Sequence, residues 1–255
     1  MSWALITGAS SGMGLKYADR LAGTGYDVVL VSNQKEDLEI AADVFGREYK
    51  IRAVPLYQDL SLPEAADNLY AYCKENGIEL EILINNAGMF FFKELESADI
   101  QRVDAMMNLH MMTVTRLSIL FGNDMKTRGH GRIMIISSLA ASLPMPGITI
   151  YSSTKSYLKT FGRSLYYEMR PYGVSVTTVC PAAIATPLYH LSPRLMDIGI
   201  RTGVIWKADR LVKRAMKAMF RGRRIIRPGF MNIYLPVLVR MLPDRLVCHI
   251  WKKVK

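Results

Sequence analysis

Four side chains of types that move protons and hold oxygens are spread through this sequence. Tyr151 and Lys155 bound the stretch "YSSTK", and at i and i+4 they share one face of a helix. Ser138 stands 13 residues before the tyrosine in "IISSLAA", at the end of an apolar run. Asn108 lies further upstream in "MMNLHMMT". The chemistry such residue types could do is the transfer of a proton to or from an oxygen. A free tyrosine, with a pKa of about 10, ionises little at neutral pH. Lowering it by about three units takes about 4 kcal/mol. One cation at about 4 Å supplies that much if the effective dielectric is about 20. Lys155, one helical turn away, is placed to be that cation, so the pair reads as a proton donor and its tuner. Each residue alone also has a plainer reading: an exposed helical pair for Tyr151 and Lys155, a strand-end turn for Ser138, a polar contact within a helix for Asn108.

A second signal is a place for phosphate. "TGASSGMG" (7–14) follows an apolar run and opens a helical stretch. Its glycines permit a tight turn and let backbone approach a pyrophosphate at the helix N-terminus. The spacing is GxxxGxG and not the usual GxGxxG of dinucleotide sites. By itself it also fits a glycine-rich loop without a ligand.

For these groups to meet, several loops must come to one edge of the fold. Short runs of Val, Ile and Leu alternate with longer helical stretches. Strands are predicted at 3–7, 27–32, 51–56, 81–85, 132–137 and 174–180, with a seventh inside 224–229. Helices are predicted at 12–23, 35–47, 63–76, 99–127, 152–170 and 207–220. The strands show little polar alternation, as parallel strands covered on both faces do. The βα repetition then implies right-handed crossovers and a single doubly wound parallel sheet, an α/β Rossmann-like fold of about seven strands with helices on both faces. A closed (β/α)8 barrel is the competing topology. In the doubly wound form ligands bind at the C-terminal strand ends, where Ser138 and the glycine turn sit. Residues 1–229 are expected to form this one domain. Residues 230–255 fall beyond the last strand and read as a separate helical appendage that Pro236 and Pro243 break into short pieces.

The 255 residues are half apolar, enough for a sizeable core. The formal net charge of +11 sits at one end: residues 201–255 hold 15 Lys and Arg against Asp209 and Asp244, while residues 1–200 hold 18 bases and 20 acids. No helix-turn-helix, zinc knuckle or aromatic ladder accompanies the basic residues, so no nucleic-acid partner is expected. Cys73, Cys180 and Cys248 are far apart and read as reduced thiols of a cytoplasmic protein. The scattered histidines, His110 and His130 among them, match no ligand pattern, so no metal is expected. The opening "MSWALITG" lacks a basic n-region and a long apolar stretch, so no signal peptide is expected.

In combination these motifs resemble the short-chain dehydrogenase/reductase family of the typical type. "TGASSGMG" resembles its TGxxxGxG, "NNAG" (85–88) its NNAG, and "CPAAIATP" (180–187) its segment after the sixth strand. Asn108, Ser138, Tyr151 and Lys155 match its four catalytic positions, and the similarity runs in order over about residues 1–229. The resemblance implies an oxidoreductase acting on CH–OH or C=O with a nicotinamide cofactor. It makes Tyr151 the general acid/base and Lys155 also the holder of the nicotinamide ribose. It makes Ser138 the partner of the substrate oxygen and Asn108 the holder of a proton-relaying water. It implies cofactor contacts from Thr7, Gly8, Ser10, Ser11, Gly12, Met13 and Gly14 in the turn, and from Asn33 after the second strand. Further contacts are implied from Asp59 and Leu60, from Asn86, Ala87 and Gly88, from Tyr151 and Lys155, and from Pro181, Ile184 and Thr186. Asp59 matches the family's adenine contact, and also reads as a helix-entry turn aspartate. One departure is Ala182, where the family has glycine; its methyl crowds the place where nicotinamide and substrate meet.

The end of the second strand, "VVLVSNQK", has no acid at Ser32 or Asn33 to hold the adenosine ribose hydroxyls, and Ser11, Ser32, Asn33 and Lys35 suit a 2′-phosphate. NADP(H) is expected over NAD(H), although the arginine that NADP-preferring members often carry at the Asn33 position is missing. "MFFFKEL" (89–95) and the segment 188–206, with Leu188, Tyr189, Leu191, Leu195, Met196 and Trp206, are rich in large apolar groups. They are expected to shape a pocket for an apolar ketone or secondary alcohol, such as an acyl chain, steroid or other lipid, and they equally fit a lid or a subunit contact. The resemblance implies a homodimer or homotetramer through the helices of Asn108 and Tyr151, with Met106, Met107, Met111 and Met112 as a packed face. The basic, apolar tail could lie on an anionic membrane surface, receive an acidic carrier protein or the phosphates of an acyl-CoA, or cap its own domain. Its apolar stretches are too short to span a bilayer. The rival functions are a catalytically silent nucleotide sensor on the same fold and an adaptor working through the tail.

Overall fold

The structure is a computed structural model that describes residues 2–94, 98–185 and 193–254. Runs of aliphatic and β-branched residues give its strands. They are β1 (Trp3–Thr7), β2 (Asp27–Ser32), β3 (Ala53–Tyr57), β4 (Leu80–Asn85), β5 (Gly131–Ile136), β6 (Val174–Val179), β7 (Ile184–Ala185), β8 (Trp206–Lys207) and β9 (Ile225–Ile226). The helices are α1 (Gly12–Ala22), α2 (Lys35–Tyr49), α3 (Ala65–Glu75), α4 (Ile100–Met107), α5 (Thr113–Arg128), α6 (Thr149–Met169), α7 (Pro193–Arg201), α8 (Ala208–Phe220), α9 (Met231–Met241) and α10 (Asp244–Val254). Seven strands pair in parallel in the order β3-β2-β1-β4-β5-β6-β9. The sheet is open and doubly wound, so the barrel is excluded. Pro55 sits in β3 at one edge, where a missing N–H costs no ladder bond.

Successive residues of each strand feed opposite cores. Ile6, Leu30 and Ile84 pack against Leu21 of α1, Phe45 of α2 and Leu211 of α8. Leu5, Val29, Leu83 and Ile135 pack against Leu69 of α3, Leu117 of α5 and Leu158 of α6. Each fully buried aliphatic side chain contributes about 2 kcal/mol, which fixes the register of the strands and so the places of the loops at their ends. The chain leaves β1 toward β2 and β3 and returns to lay β4 on the other side of β1. The loops after β1 and β4 therefore diverge and open a crevice between them.

Several elements differ from the sequence-based expectation. The helix expected over 99–127 is three pieces: α4, a π-helical turn at Asn108–Met112, and α5. That turn sets one extra residue between α4 and α5. Met106 is fully buried, while Met107 and Met112 are exposed. Trp206, expected in the substrate pocket, is instead buried in the core under α8, where β8 pairs with β7 and the guanidinium groups of Arg210 and Arg214 lie over its ring. Pro236 does not break the tail: α9 runs through it, and only Pro243 separates α9 from α10. Met231, Leu235 and Val239 of α9 pack on Leu139, Leu143 and Ala182, beside the loops after β5 and β6.

Candidate active site

The turn between β1 and α1 is shaped by an approach only glycine permits. Gly8 has a φ of +68°, and a Cβ on Gly14 would lie 1.9 Å from the carbonyl oxygen of Gly8. The Ser11 side chain makes no capping bond to α1, and Gly12 and Met13, which open the helix, line the cleft. Their N–H groups are left for an anion.

That turn forms one end of a cleft of about 540 Å³. Gly8, Ser10, Ser11, Gly12 and Met13 line it from the turn, and Ser32, Asn33 and Gln34 from the end of β2. Gln58, Asp59, Leu60 and Ser61 enter after β3, and Asn86, Ala87, Gly88 and Met89 after β4. Ser137 and Ser138 come after β5, Tyr151 and Lys155 from α6, and Pro181 and Ile184 after β6. The volume suits a small organic ligand or cofactor.

Tyr151 is buried, with its ring edge-on to Phe90 at 4.9 Å and to His110 at 5.9 Å between centroids. The Nζ of Lys155 stands 5.7 Å from the Tyr151 ring centroid. It donates to the carbonyl of Ile136 at 3.1 Å, and the Ser137 hydroxyl fastens the helix below by donating to the Lys155 carbonyl at 2.7 Å. Burial pulls the Lys155 ammonium down to about 8, so it remains mostly charged at neutral pH. Ser138 follows β5 in extended backbone and its Oγ accepts from the N–H of Ala140 at 3.1 Å. With that lone pair engaged, its own proton is left to donate elsewhere.

Some expected site residues lie beneath the cleft rather than on it. Thr7 is buried, and its Oγ1 accepts from the N–H groups of Asn86 and Ala87, both at 2.9 Å, which ties the turn to the loop after β4. Gly14 acts through its contact with Gly8. Asn108 begins the π-helical turn and is half-buried; the cleft in that region is lined by Ala105 and Leu109 instead. Thr186, Leu188, Tyr189 and Leu191 lie outside the described residues, as do the side chains of Leu195 and Met196.

A sequence profile described as short chain dehydrogenase matches residues 2–194. The chain belongs to the short-chain dehydrogenase/reductase family. Human very-long-chain 3-oxoacyl-CoA reductase is 32% identical over 201 residues, which are 76% of this chain and 63% of that relative. The chain thus spans less than two thirds of that protein's length. Among solved structures, a short-chain dehydrogenase from Sphingobium yanoikuyae in complex with NADPH superposes with a TM-score of 0.81 at 27% identity, over 95% of this chain and 97% of that one. A bulky-bulky ketone specific alcohol dehydrogenase from Comamonas testosteroni gives 0.80 at 26% identity, over 95% of each chain.

This short-chain dehydrogenase/reductase also carries a buried polar chain that sequence reasoning missed. The Nε2 of His110 accepts from the N–H of Met89 at 3.1 Å, so the proton sits on Nδ1, which donates to Thr154 Oγ1 at 2.9 Å. Thr154 in turn donates to the Tyr151 carbonyl at 2.9 Å. His110 thereby joins the loop after β4 to the helix of Tyr151. Burial, and then the charge of Lys155, hold its pKa well below the usual histidine range, so it works as a neutral imidazole. The one signal for it was a lone histidine on an otherwise apolar stretch, two residues after Asn108. Gln34 and Gln58 were missed as well, because amides at strand ends carry no spacing signature.

Proposed function

We propose that the protein moves hydride between NADP(H) and an apolar, lipid-like ketone or secondary alcohol, with Tyr151 as the general acid/base. The observation that carries this reading is the placing of Tyr151 and Lys155 in the same cleft as the glycine turn, with Ser138 on its wall. A nicotinamide cofactor fits these residues. The carboxamide oxygen of Asn86 is buried with no hydrogen-bond partner, and a Cβ on Gly88 would stand 3.1 Å from His110 Nε2 and 3.6 Å from Lys155 Nζ, so the bare backbone keeps the cradle open. When bound, the cofactor supplies or takes up the hydride.

The chain's own residues handle the proton. Lys155, whose Nζ stands 5.7 Å from the phenol ring centroid, is the nearby cation that favours the ionised form of Tyr151. The free hydroxyl proton of Ser138 holds the substrate oxygen, and the Tyr151 hydroxyl gives that oxygen its proton in reduction. Asn108, standing behind the cleft, holds a water that refills the tyrosine through Lys155. NADP(H) is supported by the end of β2 and the glycine turn beside it, where Ser32, Asn33 and Gln34, with Ser10 and Ser11, offer neutral groups and no carboxylate. The NADPH held by the Sphingobium relative agrees with it; NAD(H) is the competing cofactor. The apolar substrate is supported by Met89 on the cleft wall and Phe90 against the Tyr151 ring, and by the likeness to a 3-oxoacyl-CoA reductase and to a bulky-ketone enzyme. Ile119 on α5 and Tyr167 on α6 are exposed, as a homodimer or homotetramer through those helices requires.

The test is a panel of 3-oxoacyl thioesters, bulky aryl ketones, steroids and short polar ketones, read by NADPH absorbance. Turnover confined to the apolar members is expected. No turnover of any ketone or alcohol with either cofactor overturns the reading.

A further inference from the structure

Helix α9 has two apolar faces, and among the described residues only one of them is covered. Met231, Leu235 and Val239 pack on Leu139, Leu143 and Ala182, and the Asn232 amide is buried, donating to the Pro228 carbonyl at 2.6 Å. The other face carries Phe230, Ile233, Tyr234, Val237, Leu238 and Met241 at three- and four-residue spacing, each between 46% and 76% exposed. No charged residue falls between Phe230 and Val239. An apolar stripe of this length on a surface helix marks a contact.

The surroundings of the stripe identify what it contacts. Arg227 lies exposed at its start, and Arg240, Arg245 and Lys253 lie exposed beyond it; Asp244 is the single acid of residues 230–255. A second copy of the chain is disfavoured by this charge, because a two-fold contact sets each patch against itself and brings the same cations together. An apolar face bordered by cations matches a bilayer surface containing anionic lipid, with the apolar groups among the acyl chains and the cations at the phosphates. The 11 residues of α9 reach about 16 Å, too short to cross a hydrocarbon core of about 30 Å, so the helix lies along the surface.

We infer that α9, with the basic start of α10, seats this protein on an anionic lipid bilayer. The docking stands on the outer face of α9 and does not need the proposed reaction. Where that reaction holds, docking also sets where substrate enters. The inner face of α9 walls the loop after Ser138. Trp251 of α10 packs on Phe92 at 5.9 Å and donates to Glu94 at 3.0 Å, so the two helices that meet the bilayer border the substrate end of the cleft.

The experiment is co-sedimentation of the full chain with vesicles of phosphatidylcholine alone, or of phosphatidylcholine mixed with phosphatidylglycerol, read beside thermal unfolding and light scattering. The variants are Ile233→Asp with Val237→Asp, and separately Arg240→Glu with Arg245→Glu. The wild-type chain is expected to pellet with the mixed vesicles and to stay in solution with the neutral ones. Each double variant is expected to lose at least about tenfold in binding while unfolding at an unchanged temperature. A wild-type chain that stays in solution with both vesicles overturns the inference. So does an aspartate variant that pellets undiminished, or one whose only effect is to split a dimer. None of these readings uses turnover, so a failed ketone panel and a failed docking are told apart.

Discussion

Lys155 Nζ donates to the Ile136 carbonyl oxygen at 3.1 Å, and among the described residues no carboxylate forms an ion pair with this buried ammonium. A charge held this way is a cost to the fold. Burial lowers the Lys155 pKa from 10.5 to about 8, which corresponds to about 3 kcal/mol of destabilisation while the proton is bound. Between pH 8 and pH 10.5 the unfolded chain keeps this proton and the folded chain sheds it, so the folded state gains stability as pH rises through that window. Lys155→Met lacks the effect. In urea unfolding, the stability difference between wild type and Lys155→Met should move by about 3 kcal/mol in favour of wild type from pH 7 to pH 10.5. A difference that stays flat would mean that the ammonium is not desolvated as described.

Tyr151→Phe keeps the ring, and with it the edge contacts to Phe90 and His110, but removes the proton donor. Turnover of an accepted ketone should fall by about a hundredfold to ten-thousandfold, the range for loss of a positioned acid or base. The affinity for NADPH should change little, because the glycine turn and the strand-end loops are untouched. Near-wild-type turnover in this variant would remove Tyr151 from the acid/base role.

The sheet was readable in advance because its longer strands are rich in aliphatic and β-branched residues and are separated by helical stretches of ordinary length. The glycine turn and the Tyr151–Lys155 pair stood out in the sequence by their spacing, and both line the same cleft. The features that escaped depend on geometry the local sequence does not encode. "MMNLHMM" has ordinary helical composition, and nothing in it marks the π-turn between α4 and α5. Trp206 read as a pocket residue because it is large and apolar, yet its pairing with Ile184 turns it into the core. The covering of Leu139 and Leu143 by α9 joins residues about ninety positions apart, a distance at which no periodicity helps.

His110 gives the acid side of the pH profile. In the fold it stays neutral, because burial and the nearby Lys155 charge both disfavour a second ring proton, whereas in the unfolded chain it takes one near pH 6.5. Stability supplied by the neutral ring is therefore full above pH 6.5 and is lost as pH falls below it. His110→Gln, whose amide can still accept from the Met89 N–H, should unfold with a shallower loss between pH 6.5 and pH 5. It should also show a lower kcat, because the chain through Thr154 to the Tyr151 backbone is broken. An unchanged acid limb would assign the pH response to other groups.

Asn33 tests the cofactor. It lies exposed at the end of β2, on the cleft wall with Ser32 and Gln34, and the Ser10 hydroxyl meets Ser32 at 2.9 Å and donates to Gln34 at 3.1 Å. This group of neutral dipoles can accept a 2′-phosphate and has no anion to repel it. Asn33→Asp introduces that anion. Two unit negative charges about 4 Å apart oppose each other by about 1 kcal/mol in bulk water and about 4 kcal/mol at an effective dielectric of about 20, so NADPH affinity should fall by at least about fivefold. The same carboxylate can accept from the ribose hydroxyls of NADH, whose affinity should rise. Parallel fluorescence titrations of wild type and variant with both nucleotides measure this. If wild type already binds NADH more tightly than NADPH, the preference is reversed and the neutral end of β2 does not select for phosphate.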